Sequence, residues 1–554
     1  MKKYLFENND IKKWLAVAIA LLAVVAKLVM AAGQFATIYP PLAPIDDDLM
    51  FNAAQSIVAG EWLGAYGWLT ISKHMFFAVW LAFLHAIKVP YLVGNIALWT
   101  VACAVTILAT KPVVSKNWQK LFMFLGLLYN PAMSAQYATR IYRDSIFPSL
   151  CLMFFAGVLA VGLRYKEKVS KWLGWLVLYG ASFGCIYLSR EDGMWIIPFF
   201  AAAAVIVAVL LIFEKEKNIL TKIVCMVLPF AISAGIICSY AYMNYNHYGR
   251  FIVSDFTSDD FQAAYGALTS LAQDEWDPMV SVPVDVRDDV YSVSPYFALL
   301  EQDLKSQWFI SRYANSKKGD YGSGSMYWAL REAVANAGYY DDANKAQQYY
   351  EQLYTDIQTA VNNGTLQTTN GKTTLRKSVT PPIKMEYVPD VLAETFAGFK
   401  TVILFEQCDP LAEKAVGFPE EIKEVEDFIH QSGATAMIEN TDIPYLSPIR
   451  SIMHTVLRVF IQVYKYCIPV MFLISLIWQI KKLLSDVIEK RFDNESMLNI
   501  IMLGLLGMAL LRCAMIAFVE VASFNIGTYV MYLSTVHPLV ILYCFIGFVK
   551  TFEY

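Results

Sequence analysis

Three carboxylates in a row, Asp46, Asp47 and Asp48, follow an apolar run in PIDDDLMFNAAQSIVAGEWLGAY, residues 44–66. One aspartate at a helix start satisfies free N–H groups and suits the helix dipole. Three adjacent carboxylates also repel, which raises their proton affinity and makes bases of them. Two more acid–base clusters, Tyr142-Arg143-Asp144 and Arg190-Glu191-Asp192, sit in short polar turns between apolar runs. Guanidinium groups grip phosphate through paired hydrogen bonds, so Arg143 and Arg190 are candidate anion ligands. Glu191 and Asp192 suit a hydroxyl-rich ligand, or they pair with Arg190 to close their turn. Arg512 lies inside LLRCAMIAFVE, residues 510–520, where a charge within an apolar run is a functional candidate by default. The competing reading is that an acidic neighbour inside the bundle neutralises it, and Glu520 lies eight residues on. Together these groups could deprotonate a nucleophile while steadying an anionic leaving group.

Other chemistries have less support. His74, His85 and His537 lack ligand-like spacing, so zinc is not expected. The three aspartates also form an oxygen set of the kind that magnesium, manganese or calcium accepts, and a divalent cation stays open. The sequence holds no P-loop, G-x-G-x-x-G or G-x-S-x-G element, which argues against an ATP-driven pump, a nucleotide-sugar Rossmann enzyme and a serine hydrolase. A net charge of −4 favours no nucleic-acid partner.

The elements that must position these residues are membrane helices. The chain has 554 residues, of which 57% are hydrophobic and 17% charged, with a mean hydropathy of +0.43. That balance excludes an ordinary soluble domain. Eleven apolar runs lie near 14–32, 75–87, 91–110, 121–138, 145–163, 172–189, 194–213, 223–243, 454–479, 497–520 and 527–549. The first spans a bilayer by length and lacks a clear cleavage site, so it reads as an anchor. The run 75–87 is too short for a roughly 30 Å hydrocarbon core and reads as an interfacial helix. Ten spans then place every Lys-rich loop on one side, with both termini cytoplasmic, as in a bacterial plasma membrane.

Three parts follow. Residues 1–243 form a seven-span module with interfacial helices near 46–62 and 75–87, residues 244–447 form a mainly helical extracellular domain, and residues 448–554 add three spans. Helical spacing is plain in MYWALREAVANAG and DDANKAQQYYEQLYTDIQTAVNNG. Of nine cysteines only Cys408 falls in the long polar segment, which therefore folds without an internal disulfide.

The order Asp46-Asp47, Ala54, Ile57, Gly60 and Trp62 resembles the first outer loop of the GT-C superfamily of polyprenyl-phosphate-sugar-dependent glycosyltransferases. That superfamily includes protein O-mannosyltransferases and lipid A aminoarabinose transferases. The resemblance covers about residues 10–245. It implies an all-α polytopic bundle in which Asp46 and Asp47 match the acidic pair, 75–87 matches the second interfacial helix and Asp144 matches the acid of the next outer turn. Lys73-His74-Met75 departs from the usual Lys-Pro-Pro, and Arg143 beside Asp144 departs from the second-turn pattern. The implied reaction moves a sugar from a polyprenyl-phosphate carrier to an extracellular glycan, lipid or protein, with inversion. Asp46 or Asp47 is then the base, Asp144 a further catalytic acid, and Asp48, Arg143, Arg190, Glu191, Asp192 and Arg512 bind substrate. The rival readings are a transporter or flippase of lipid-linked glycans and a non-catalytic envelope assembly protein. The transporter sits less well with charge concentrated at the outer edge of the bundle, and an assembly protein would tolerate loss of the aspartates.

Overall fold

The computed structural model describes residues 2–553 apart from 41–42, 214–217, 315–318, 411–414, 436–447, 491 and 525–529. The end of the expected extracellular segment and the start of the last apolar run therefore lie outside the described residues. Among the described residues the structure is helical, with only isolated β-bridges such as Thr37 to Arg140. Helices are numbered below in the order in which the chain presents those that matter.

The first half holds α1 (Lys2–Gly33), α2 (Asp47–Ala59), α3 (Phe76–Ala86), α4 (Tyr91–Ala109), α5 (Asn117–Leu128), α6 (Phe147–Leu163), α7 (Leu173–Ser189), α8 (Ile197–Phe213) and α9 (Leu228–Tyr248). Every residue of α6 is buried, as expected of a helix that is apolar all round and sits at the centre of a bundle. It packs against α4 and α7, and α7 packs in turn against α9. The last contact is close because Gly180 has no side chain: a Cβ there would lie 2.7 Å from Pro229 Cα. The second half closes the bundle with α15 (Pro448–Glu489), α16 (Asn494–Val519) and α17 (Val536–Thr551).

Six helical stretches among the described residues are long and apolar enough to cross a membrane: 11–33, 91–109, 191–213, 219–248, 450–489 and 494–524. The protein is thus an all-α, multi-pass membrane protein. Three of the other expected spans are shorter apolar helices, at 147–163, 173–189 and 536–551. The run 121–138 departs from expectation, because α5 ends at Leu128. Pro131 cannot continue the helix, and the Asn130 side chain accepts from Ala132 N at 3.1 Å to start a 3-10 turn over 131–134. The twelve helical residues left span about 18 Å.

The long polar segment divides between two cores. Residues from α10 (Asp259–Leu268), α11 (Ser323–Asn336) and α12 (Ala343–Asn362) enclose an outer core including Phe261, Met326, Tyr350 and Leu353. The α12 start is capped by Asp342, whose side chain accepts from Asn344 N and Lys345 N. By contrast α13 (Val388–Ile403) and α14 (Pro419–Ile429) belong to the bundle, whose core includes Val402, Phe405, Ile422 and Phe428.

Candidate functional site

The aspartate run stands where the chain turns from the first span into α2. Asp46 occupies the N-cap position, yet its side chain makes no capping hydrogen bond. Helix α2 runs on to Gly60, whose φ of 84° suits glycine and ends the helix. Freed from capping, the Asp46 carboxylate accepts a short hydrogen bond from Lys73 Nζ and one of 2.8 Å from the Tyr142 hydroxyl. Burial would raise its proton affinity, but the Lys73 charge and hydrogen bond with the Tyr142 hydroxyl outweigh burial. They hold Asp46 well below the usual carboxylate range. Burial draws the Lys73 ammonium down from its usual range while Asp46 pulls it up.

Asp47 turns the other way. Arg140 grips it through Nε at 2.8 Å and Nη2 at 2.5 Å. Burial pushes its carboxyl up to about 6 against that pull, so it is still mostly ionised at pH 7. Asp48 faces α14, where burial and the charge of Glu421 raise it while Asn52 lowers it. The three carboxylates thus diverge. Among the described residues, no group of three or more His, Cys, Asp or Glu converges as a metal-ligand set.

The two short turns meet beside Asp46, as their positions require. Arg143 Nη1 donates to Glu191 at 2.8 and 3.0 Å and to Ser189 O at 3.3 Å. Arg190 reaches Asp144 at 2.6 Å and Asp192 at 2.8 Å. Asp192 also accepts from Arg512 Nη1 at 2.7 Å. Arg512 is fully buried, and this pair is the acidic neutralisation weighed against its role as an anion ligand. The neutralising acid is Asp192, 320 residues away in sequence.

Asp46, Lys73, Tyr142, Arg143, Arg190, Glu191 and Asp192 line one cavity of about 610 Å³. The outer domain closes it with Phe256, Arg312, Tyr313, Tyr327 and Trp328, and α16 and its continuation add Val519, Glu520 and Phe524. Asp47 and Asp48 are not on this wall, and Asp144 and Arg512 reach it only through Arg190 and Asp192. Within the network Lys73, Arg143, Arg190 and Arg512 balance Asp46, Asp144, Glu191 and Asp192, four cations against four carboxylates. Satisfaction is incomplete: Arg143 Nε, Asp144 Oδ2, His74 Nε2 and Arg512 Nη2 are buried with no hydrogen-bond partner among the described residues.

Two structures solved by crystallography are similar to this chain. One is ArnT from Cupriavidus metallidurans in the apo state, at 12% identity and a TM-score of 0.31 over 96% of this chain and 76% of that one. The other is ArnT from Cupriavidus metallidurans bound to undecaprenyl phosphate, at 10% identity and a TM-score of 0.31 over 97% and 77%. No family model and no curated protein matches the sequence.

Several residues of the site escape sequence reading. Lys73 registers in the sequence only as a departure from a motif, yet it is the partner of Asp46. Arg140, three residues before Arg143, clamps Asp47, and its place in the same basic turn is the only signal that could have singled it out. Arg331 and Asp255 form a fully buried pair at 3.0 Å, and Arg331 Nε donates to Trp68 O at 3.1 Å. Asp255 N donates to Ile71 O at 2.8 Å. This pair fastens the outer domain to the loop that carries Lys73, and no local pattern marks it. Lys27, buried inside α1 and bonded to Ser134, is a further unmarked charge.

Proposed function

We propose that this protein is an integral-membrane glycosyltransferase that moves a sugar from a polyprenyl-phosphate carrier to an acceptor on the outer face of the membrane. The observation that carries the reading is Asp46 and Lys73, hydrogen-bonded to each other on the wall of a cavity that opens where the membrane helices end. A base and a detachable cation stand side by side there.

The reaction asks four things of the chain. The acceptor hydroxyl gives its proton to the Asp46 carboxylate, and its oxygen attacks the anomeric carbon. The bond from that carbon to the phosphate oxygen breaks, and the phosphate keeps the electron pair. Attack opposite the phosphate inverts the anomeric centre. No acid need protonate the leaving group, so the two-carboxylate geometry of glycoside hydrolases does not apply.

Lys73 links binding to basicity. A phosphate entering a network already balanced in charge needs a cation, and a lysine on a flexible stem changes partner more readily than a forked arginine. As Lys73 turns from Asp46 to the phosphate, Asp46 loses the contacts that depress its proton affinity and becomes a stronger base. Arg143 and Arg190 stay locked to Glu191, Asp144 and Asp192 and hold that wall of the cavity in place. Tyr327 and Trp328 bring the outer domain to the opposite wall, where an acceptor would lie.

The reading is tested by mass spectrometry of envelope glycans and glycolipids from cells with the wild-type gene, a deletion or Asp46→Asn at equal expression. Loss of the same sugar in the deletion and the variant supports transfer and identifies the donor. A change in the deletion alone makes the protein a transporter or assembly factor.

A further inference from the structure

The helix α13 belongs by sequence to the polar segment, yet it packs against α16, a helix long and apolar enough to cross a membrane. It also touches α15: Phe399 meets Phe472 at 5.8 Å, and Phe405, just past the helix end, meets Tyr464 at 5.3 Å and His537 at 5.1 Å. Its inward face is built from Thr395, Gly398 and Val402, all buried.

Among the described residues, no protein lies against its other face. Val388, Leu392 and Phe396 recur every four residues, and Phe396 is 66% exposed. Ile383 and Met385, on the approach to the helix, are each 82% exposed. An apolar surface of this kind marks a partner. The flanking span shows what the partner is, because α15, which α13 meets at Phe472, exposes Val463, Val470, Leu473 and Ile477. Those residues stand on a helix long and apolar enough to cross a membrane, where lipid is the surrounding medium. Of the charged residues on α13, Asp390 lies near its start, the half-buried Glu394 at its middle and Lys400 near its end. Charged side chains at the ends of an interfacial helix reach the headgroup layer while its apolar residues enter the acyl chains.

We infer that residues 383–403 are immersed in the outer leaflet, with Ile383, Met385, Leu392 and Phe396 among phospholipid acyl chains. The segment between the outer domain and the last spans is then a membrane anchor rather than part of an aqueous domain. It holds the outer domain against the bilayer beside the bundle. The inference does not rest on the proposed transferase activity.

The test uses the full chain in vesicles of phosphatidylethanolamine and phosphatidylglycerol doped with a diazirine phospholipid, with peptide mapping of the adducts. The same vesicles are footprinted with hydroxyl radicals from the water phase. Lipid adducts on 383–403, with Met385 and Phe396 oxidised several-fold less than Trp308 of the outer domain, are expected; Trp308 is 52% exposed. Strong oxidation without adducts places the face in water and overturns the inference. Protection from both reagents assigns the face to a protein partner and overturns it as well.

Discussion

Asp46 and Asp47 are neighbours in sequence, and each is paired with a cation, but the pairs are built differently. Asp46 faces the cavity and is held by a lysine and a tyrosine hydroxyl. Asp47 faces away and is held at two points by the rigid fork of Arg140. A point charge on a flexible stem can be drawn off by an incoming anion, whereas a bidentate fork in a buried place resists exchange. The first pair is suited to change during a reaction and the second to fix the start of α2 against the second outer turn. On the proposed mechanism the two adjacent carboxylates divide between chemistry and architecture.

The largest expected effect is on turnover. Asp46→Asn removes the base and lowers transfer by about 100-fold to 10,000-fold, measured per folded molecule. An Asp46→Asn protein with wild-type product levels would break the comparison at its first half.

Asp47→Asn should reverse the pattern. It takes the bidentate partner from Arg140, a loss partly offset because one fewer charge is buried, so a modest destabilisation is expected. Thermal unfolding in detergent reads this loss, and activity per folded molecule should stay within a few-fold of wild type.

Lys73→Gln sharpens the account of exchange. Binding of a polyprenyl phosphate in nanodiscs should weaken by about tenfold or more, as for a lost charge-assisted contact worth about 1.5–3 kcal/mol. Lys73→Arg should restore binding in part but not turnover, because the fork stays on Asp46. Equal affinity in wild type and Lys73→Gln would remove Lys73 from phosphate binding.

The smallest effects are in pH dependence, and the two aspartates should differ in sign. The folded-state pKa of Asp46 lies below the unfolded value, so its contribution to stability is present above about pH 4 and fades as pH falls further. The folded-state pKa of Asp47 is raised to about 6, so its contribution is full below about pH 4 and is lost as pH rises through 6. Unfolding midpoints of wild type relative to each Asn variant, measured from pH 3 to 8, should therefore diverge in opposite directions. Parallel curves would show that the two carboxylates share one environment.

What the sequence made legible was local. Helices α2 and α3, the long apolar helices and the helical spacing of α11 and α12 are short-range patterns of hydrophobicity, and each could be read within a few turns of chain. The clustering of the Arg143 and Arg190 turns was also legible, because short connections keep chain ends together. Which cation met which carboxylate was not. Arg512 pairs with Asp192 across 320 residues, and Asp46 chose Lys73 over the nearer option of capping α2. Such choices depend on burial and competing partners, which no window of sequence contains. The placement of α13 with the bundle was hidden for a related reason: its Asp390, Glu394 and Lys400 gave it the composition of an aqueous helix.

The central claim is that Asp46 reacts and Asp47 holds. The most direct measurement is glycan product formed per folded molecule by wild type, Asp46→Asn and Asp47→Asn in the same deletion background, with folded protein quantified by size-exclusion chromatography. The account predicts that Asp46→Asn runs as a folded monodisperse peak and makes no product, while Asp47→Asn yields less folded protein that is active molecule for molecule. A folded but inactive Asp47→Asn together with an active Asp46→Asn would contradict it.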